Sequence, residues 1–174
     1  MEYKTLNLVI EENLAIIKFT RPEVLNALNS QMRAEILHAV KHSESRARCL
    51  VITGEGMAFC SGQDLGDRSN LSDIDLKKTL RDEYEPMLKA IYECKIPTIA
   101  AVNGVAAGAG ANLALCADVV IATESASFIQ AFSKIGLIPD AGGSYFLPRK
   151  IGLAKSIGAA FFAEKISAKE ASLI

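Results

Sequence analysis

This sequence predicts an α/β fold with strands buried on both faces, and three observations predict it. Three short apolar runs, 49–53 (CLVIT), 98–102 (TIAAV) and 118–122 (DVVIA), have the length of strands and no polar alternation. The stretches between them carry apolar residues at helical spacing. Glycine-rich turns follow the first two runs, so strand and helix alternate, as in a largely parallel sheet.

Taken in order, residues 4–19 (KTLNLVIEENLAIIKF) read as a hairpin, two apolar runs around Glu11, Glu12 and Asn13. Ser30 is placed to cap a helix from about Gln31 to Ser43, with Met32, Ile36, Ala39 and Val40 on one face. Residues 54–68 (GEGMAFCSGQDLGDR) read as a glycine-punctuated loop. A helical stripe runs through Leu76, Leu80, Tyr84, Met87, Leu88 and Ile91, with a kink or break expected at Pro86. The run 73–85 (DIDLKKTLRDEYE) is read as a solvated helix face. Residues 103–116 (NGVAAGAGANLALC) form a glycine-rich turn entering a helix. The remainder is helical in tone, and the last stretch stops at Ile174 without a C-cap glycine, the pattern of a domain cut short. The expectation is one domain over 1–174, with a C-terminal helical region beginning at about 150–174.

Composition narrows the function. The chain has 174 residues, of which half are hydrophobic, and 19 basic against 20 acidic residues leave a net charge of −1. That balance gives no electrostatic footprint for nucleic acid, and no nucleic-acid partner is expected. No apolar run approaches a membrane span, and Glu2, Lys4, Glu11 and Glu12 do not suit a signal peptide. Cys49, Cys60, Cys94 and Cys116 match no zinc module and read as reduced, mostly buried thiols of a cytoplasmic protein. His38 and His42 stand at i, i+4 but lack a third ligand, so no metal is expected. The same two histidines give little material for a Ser-His-Asp triad. In the turn 104–110 (GVAAGAG), Gly108 and Gly110 fit a dinucleotide fingerprint, but Leu113 takes its third glycine position and Asp118 precedes its strand rather than closing it. A P-loop is excluded because no Gly-Lys-Ser/Thr follows.

Two features carry chemistry. Each glycine turn follows a buried strand and could aim a backbone N–H at one shared oxygen, which is how an oxyanion hole is built. Asp140 is a lone carboxylate in the apolar, glycine-rich run 136–149 (GLIPDAGGSYFLPR). It could cap the helix that follows. It could instead be a proton-transferring group whose pKa is raised by its surroundings.

The segments 21–28 (RPEVLNAL), 58–65 (AFCSGQDL), 100–122 (AAVNGVAAGAGANLALCADVVIA) and 132–152 (FSKIGLIPDAGGSYFLPRKIG) occur in one order across the chain. Together they resemble the enoyl-CoA hydratase/isomerase (crotonase) superfamily, from about Leu6 to Ile174. The segments GQDLGDR, NGVAAGAGA and AFSKIGLIPD point within it to the 1,2-epoxyphenylacetyl-CoA isomerase branch of phenylacetate breakdown and to Δ3-Δ2-enoyl-CoA isomerases. The resemblance implies a spiral of ββα units, assembly as a trimer or a dimer of trimers, and an acyl-CoA substrate whose coenzyme A is no separate cofactor. It implies oxyanion N–H groups at Gln63 and Ala109. It also implies CoA and substrate contacts at Val24, Leu25, Ala27, Ser61, Gly62, Asp64, Leu65 and Pro139, with Asn112 and Phe132 lining the pocket.

Where hydratases of the family carry two glutamates, this chain has Asn112 and Phe132. Neither can deprotonate water. Asp140 stands where several isomerase-type members carry their single carboxylate, so the resemblance implies an isomerase acting through an enolate, with Asp140 as acid and base. Weak hydration of an enoyl-CoA is the second reading, and a non-catalytic acyl-CoA or RNA-binding protein the third. A dehalogenating nucleophile at Asp140 ranks low, because this chain has no tryptophan and its histidines lie on an early helix.

Overall fold

The computed structural model describes residues 2–67 and 75–174. Arg68 of the GQDLGDR segment and Asp73 and Ile74 of the solvated helix run lie outside the described residues.

The hairpin forms as expected. Strand β1 (Leu6–Glu11) pairs antiparallel with β2 (Leu14–Phe19), closing at Glu11 opposite Leu14. Glu12 and Asn13 both have positive φ, 48° and 68°. This is the two-residue turn whose twist matches the flanking strands. Helix α1 (Ser30–Glu44) follows. Its cap is Asn29 rather than Ser30: the Asn29 side chain accepts from the Met32 N–H at 2.8 Å. Both residue types can cap, and the one a residue earlier reaches the orphan N–H.

Strands β3 (Cys49–Gly54), β5 (Thr98–Val102) and β7 (Val119–Ala122) continue the first sheet in parallel, in the order β1-β2-β3-β5-β7. The second sheet consists of β4 (Ala58–Cys60), β6 (Val105–Ala107), β8 (Ser127–Ile129) and β9 (Ile166–Ser167), in that order. The chain therefore alternates between sheets: β3 then β4, β5 then β6, β7 then β8. Each pair is followed by helix, which is the expected spiral of ββα units.

Helix α2 (Leu76–Thr79) runs through a π turn (Leu80–Tyr84) into α3 (Glu85–Tyr92). Pro86 lies just after the π turn, so the expected kink or pair of helices takes the form of two helices joined by a local change of helical pitch. Helices α4 (Ala109–Cys116), α5 (Gly143–Ile151), α6 (Leu153–Phe162) and α7 (Ala168–Ala171) complete the fold.

Burial in the first sheet alternates along the strands. Ala15, Ile17, Phe19, Leu50, Ile52, Ala100 and Val102 turn inward, while Val119 and Ile121 of β7 stay exposed. The expectation of burial on both faces thus fails, because only one face is packed. The core joins that face to Leu28, Met32 and Ile36 before and on α1, Met87 and Ile91 of α3 and Leu113 of α4. The rings of Phe19 and Phe59 meet at 5.6 Å between β2 and β4. Cys60 and Cys116 are buried free thiols pushed up to about 12 by that burial, whereas Cys49 and Cys94 are only half-buried.

Two carboxylates pin the architecture. Asp118 Oδ2 accepts from the Thr98 N–H and hydroxyl at 2.8 and 2.9 Å, and its own N–H donates to the Thr98 hydroxyl, tying β5 to the entry of β7. Buried Glu35 of α1 accepts from the N–H groups of Lys4 and Thr5, the Thr5 hydroxyl and Gln31 Nε2. Burial works against its charge, but these bonds outweigh it and hold the carboxyl below the usual range. Removing the acceptor by Glu35→Ala leaves buried donors at the start of β1 unmet, so stability falls by about 2–3 kcal/mol. Urea unfolding at neutral pH measures this. The wild type's advantage is present above the unfolded-state pKa and disappears as pH falls through the folded one.

Candidate active site

The 58–66 segment is held against the 24–28 segment by a short ladder. Ser61 N–H donates to Leu25 O at 3.0 Å, Leu28 N–H to Gly62 O at 2.7 Å, and Asp64 N–H to Leu28 O at 3.1 Å. Leu28 and Gln63 form a parallel bridge. Leu25 and Asn26 both take positive φ to enter this pairing. The structure thus brings Val24, Leu25 and Ala27 together with Ser61, Gly62, Gln63, Asp64 and Leu65. Val24, Leu25 and Leu65 leave apolar side chains exposed along the paired segments, and Ala27 is buried beneath them. Arg21 locks the arrangement, donating to Ala27 O and pairing with Asp64 at 2.8 Å.

The second glycine turn meets the first at Gly62. Its φ is +95°, and a Cβ there would lie 2.8 Å from Ala107 O and 3.4 Å from Ala109 N. Only glycine permits that approach. Ala109 opens α4, where the first N–H groups have no partner within the helix and the helix dipole is positive. Among the described residues, neither the Gln63 nor the Ala109 N–H has a backbone partner. Phe132, 7% exposed, packs its ring towards Gly108, the residue before Ala109.

Asp140 precedes two residues of positive φ, Ala141 and Gly142, which turn the chain into α5. The N-cap of α5 is Gly142, with no side-chain cap bond, so Asp140 does not serve as the cap. Its backbone is clamped instead. Asp140 O accepts from Gly143 N–H at 2.7 Å and from Asn112 Nδ2 at 2.8 Å, and Asn112 Oδ1 accepts from Gln130 Nε2 at 2.9 Å. Asn112 is fully buried with both ends of its amide engaged. It therefore holds Asp140 through its backbone, and neither Asn112 nor Phe132, both expected to line the pocket, is among the residues around the cavity that Asp140 faces. Pro139 contributes its carbonyl to the Ser144 hydroxyl at 2.7 Å.

Asp140 faces a cavity of about 710 Å³. Its wall includes Leu80, Tyr84, Leu88, Tyr92, Tyr145 and Phe146. The Tyr92, Tyr145 and Phe146 rings meet one another at 5.1–6.1 Å. The other carboxylate on the wall, Glu85, is exposed and paired with Lys89 at 2.6 Å. Asp140 is left as the half-buried acid, and burial pushes it up to about 6. A separate cavity of about 350 Å³ lies against Phe128, Leu147 and Ile166, and no Asp or Glu is among its described lining residues.

Sequence reasoning missed two residues that the geometry ties to this site. Arg33 of α1 and Tyr84 of the π turn both bond the Gln63 side chain, at 3.0 and 2.7 Å. They stand 30 and 21 residues from it in the chain, and each reads as one more position on an amphipathic helix.

A family model described as enoyl-CoA hydratase/isomerase matches residues 9–174. The chain belongs to that family. It is 58% identical over 172 residues to a Rhodobacter capsulatus protein named "Probable enoyl-CoA hydratase", covering 99% of this chain and 66% of the relative. It is 44% identical over 168 residues to 1,2-epoxyphenylacetyl-CoA isomerase of Escherichia coli, covering 93% of this chain and 64% of the relative. The chain thus spans just under two thirds of the length of these relatives. Among solved structures, enoyl-CoA hydratase of Bacillus anthracis superposes with a TM-score of 0.92 at 28% identity, over 98% of this chain and 67% of that one. Enoyl-CoA hydratase of Polaromonas sp. JS666 gives 0.85 at 34% identity, over 94% and 65%. The fold is that of the crotonase enzymes.

Proposed function

We propose that this chain carries the catalytic centre of an acyl-CoA isomerase that moves a proton between two carbons of an unsaturated or ring-bearing thioester. The observation that carries this reading is Asp140: one half-buried carboxylate, raised towards neutrality, on an otherwise largely apolar wall. The thioester oxygen would rest between the N–H groups of Gln63 and Ala109. Charge developing on that oxygen as the adjacent carbon loses its proton would be met by two donors already in place. Asp140, ionised, takes the proton and returns it to a second carbon. A group with a pKa near the working pH does both well. Coenzyme A would lie along the paired 24–28 and 61–65 segments.

A hydratase is the second reading, favoured by the name of the Rhodobacter capsulatus relative. Against it stand Asn112, occupied in holding Asp140, and Phe132, which has no proton to exchange. The deciding experiment offers trans-3-hexenoyl-CoA and crotonyl-CoA side by side. Conversion of the first to the Δ2 thioester with little hydration of the second supports the isomerase. Rapid hydration of crotonyl-CoA overturns it in favour of the hydratase.

The pKa of Asp140 predicts the pH profile. The base must be ionised, so kcat/KM for isomerisation rises with pH, with an acid limb centred near 6, and levels off above it. A profile flat from about pH 5 to 8 removes Asp140 from the role.

Assembly as a homotrimer or hexamer and a cytoplasmic location form part of the same proposal. Among the described residues, no helix is long and apolar enough to cross a membrane.

A further inference from the structure

Arg33 is among the largest fully buried side chains of the described residues and lies outside the cavity that holds Asp140. A buried guanidinium is costly unless its donors are met and its charge is paired. Here both conditions hold. Nε and Nη2 donate to Glu83 Oε2 at 3.0 and 2.6 Å, Nη2 also to Ser30 Oγ at 3.1 Å and Asp67 Oδ2 at 3.3 Å, and Nη1 to Leu28 O at 2.6 Å and Gln63 Oε1 at 3.0 Å. The guanidinium also lies over the Tyr84 ring at 4.8 Å.

These partners are not scattered. Leu28 and Gln63 are the two bridged residues that join the paired segments, and Asp67 follows the second segment. Glu83 and Tyr84 come from the π turn, and both meet Arg33. Tyr84 then donates its hydroxyl to the same Gln63 Oε1 at 2.7 Å while its ring forms part of the Asp140 cavity. Gln63 Nε2 donates to Asp64 O at 3.0 Å, so the amide is held at both ends. Gln63 is exposed as a residue, yet its side chain is fixed by three bonds. A core arginine thus reaches a surface glutamine, and the peptide that precedes that glutamine is also held through Gly62 O by the Leu28 N–H at 2.7 Å.

We propose that Arg33 and Tyr84 are positioning residues. Acting through the Gln63 side chain, they set the direction of the Gln63 backbone N–H as an oxyanion donor and tie it to the wall of the acyl cavity. The inference rests on the proposed oxyanion role of Gln63. It differs from an ordinary stability role in one consequence: loosening the amide harms the transition state more than it harms thioester binding.

The test uses Gln63→Ala and Tyr84→Phe, singly and combined, in the full chain. Arg33→Lys is added as the variant that keeps the charge and loses the fork. The readouts are kcat and KM for trans-3-hexenoyl-CoA, and the enolate absorbance of bound acetoacetyl-CoA, which reports oxyanion donation without turnover. The expected result is a fall of about tenfold to a hundredfold in kcat for each single variant, with KM changed by less than about threefold. The enolate band weakens in parallel. The double variant is no worse than the poorer single one, because both act through one contact. Wild-type kcat and enolate band in Gln63→Ala overturn the inference even if Arg33→Lys fails to fold. So do effects that multiply in the double variant, or a rise in KM with kcat unchanged. A wild-type protein that forms the enolate but does not isomerise the hexenoyl thioester sinks the proposed reaction, and the band still decides the inference.

Discussion

Asp140→Asn is expected to abolish the proposed isomerisation and to leave the binding of coenzyme A thioesters nearly intact. The substitution keeps the size of the side chain and the backbone bonds to Gly143 and Asn112, since those use the Asp140 carbonyl. What it removes is the capacity to take and return a proton. Loss of a general acid and base typically costs roughly 10²–10⁴ in rate. Steady-state assays give the rate, and calorimetric titration with a saturated acyl-CoA gives the affinity. A variant that keeps its rate ends the assignment. A variant that loses affinity as well as rate shows that the carboxylate serves binding instead. Stability supplies an independent check. Burial raises the folded-state pKa to about 6, so the contribution of Asp140 to stability is fully present below the unfolded-state value and is lost as pH rises through about 6. The amide has no proton to lose. Asp140→Asn therefore flattens this stretch of the stability profile and does not destabilise the protein at neutral pH.

Much of the scaffold was legible because it obeys local rules. The hairpin, α1 and β5 follow from period, turn residues and apolar runs, and β5 falls on the residues expected. The second sheet was not legible, for a physical reason. Strands β4, β6 and β8 are three residues each, too short to display a period, and β4 and β6 sit inside glycine-rich loops. Their pairing partners lie on other turns of the spiral, as Ala58 opposite Val105 and Val105 opposite Ser127 illustrate. A strand of that kind is created by its neighbours. The candidate site divides along the same line. Asp140 stood out because a charge in an apolar run needs a reason. Asn112 could be recognised as unable to deprotonate water, but its grip on the Asp140 carbonyl depends on Gly143 letting α5 come close to α4. Nothing near Asn112 in sequence signals that. Arg33 is the extreme case, a buried cation that reads as one more charge on an amphipathic helix.

Gly62→Ala is expected to cost roughly 10²–10³ in kcat, the usual effect of losing one oxyanion donor. A methyl group at Gly62 would sit 2.8 Å from Ala107 O and 3.4 Å from Ala109 N. Both are backbone atoms of the turn into α4 and cannot swing aside as a side chain would. The 61–65 segment must therefore back away from that turn, which would spoil the proposed pairing of the Gln63 and Ala109 N–H groups around one oxygen. Strain adds to this, since φ is +95° and left-handed backbone costs an L-residue about 1–2 kcal/mol. Gly152→Ala separates the two effects. Gly152 has φ +79°, nothing lies within 4 Å of where its methyl would stand, and it joins α5 to α6 away from both segments. It should lose stability in thermal unfolding and keep its kcat. Gly62→Ala should lose both, with the enolate band of acetoacetyl-CoA weakened. If Gly62→Ala retains wild-type kcat, the thioester oxygen does not sit between these two turns, and the donors must be sought among the other N–H groups that open α4.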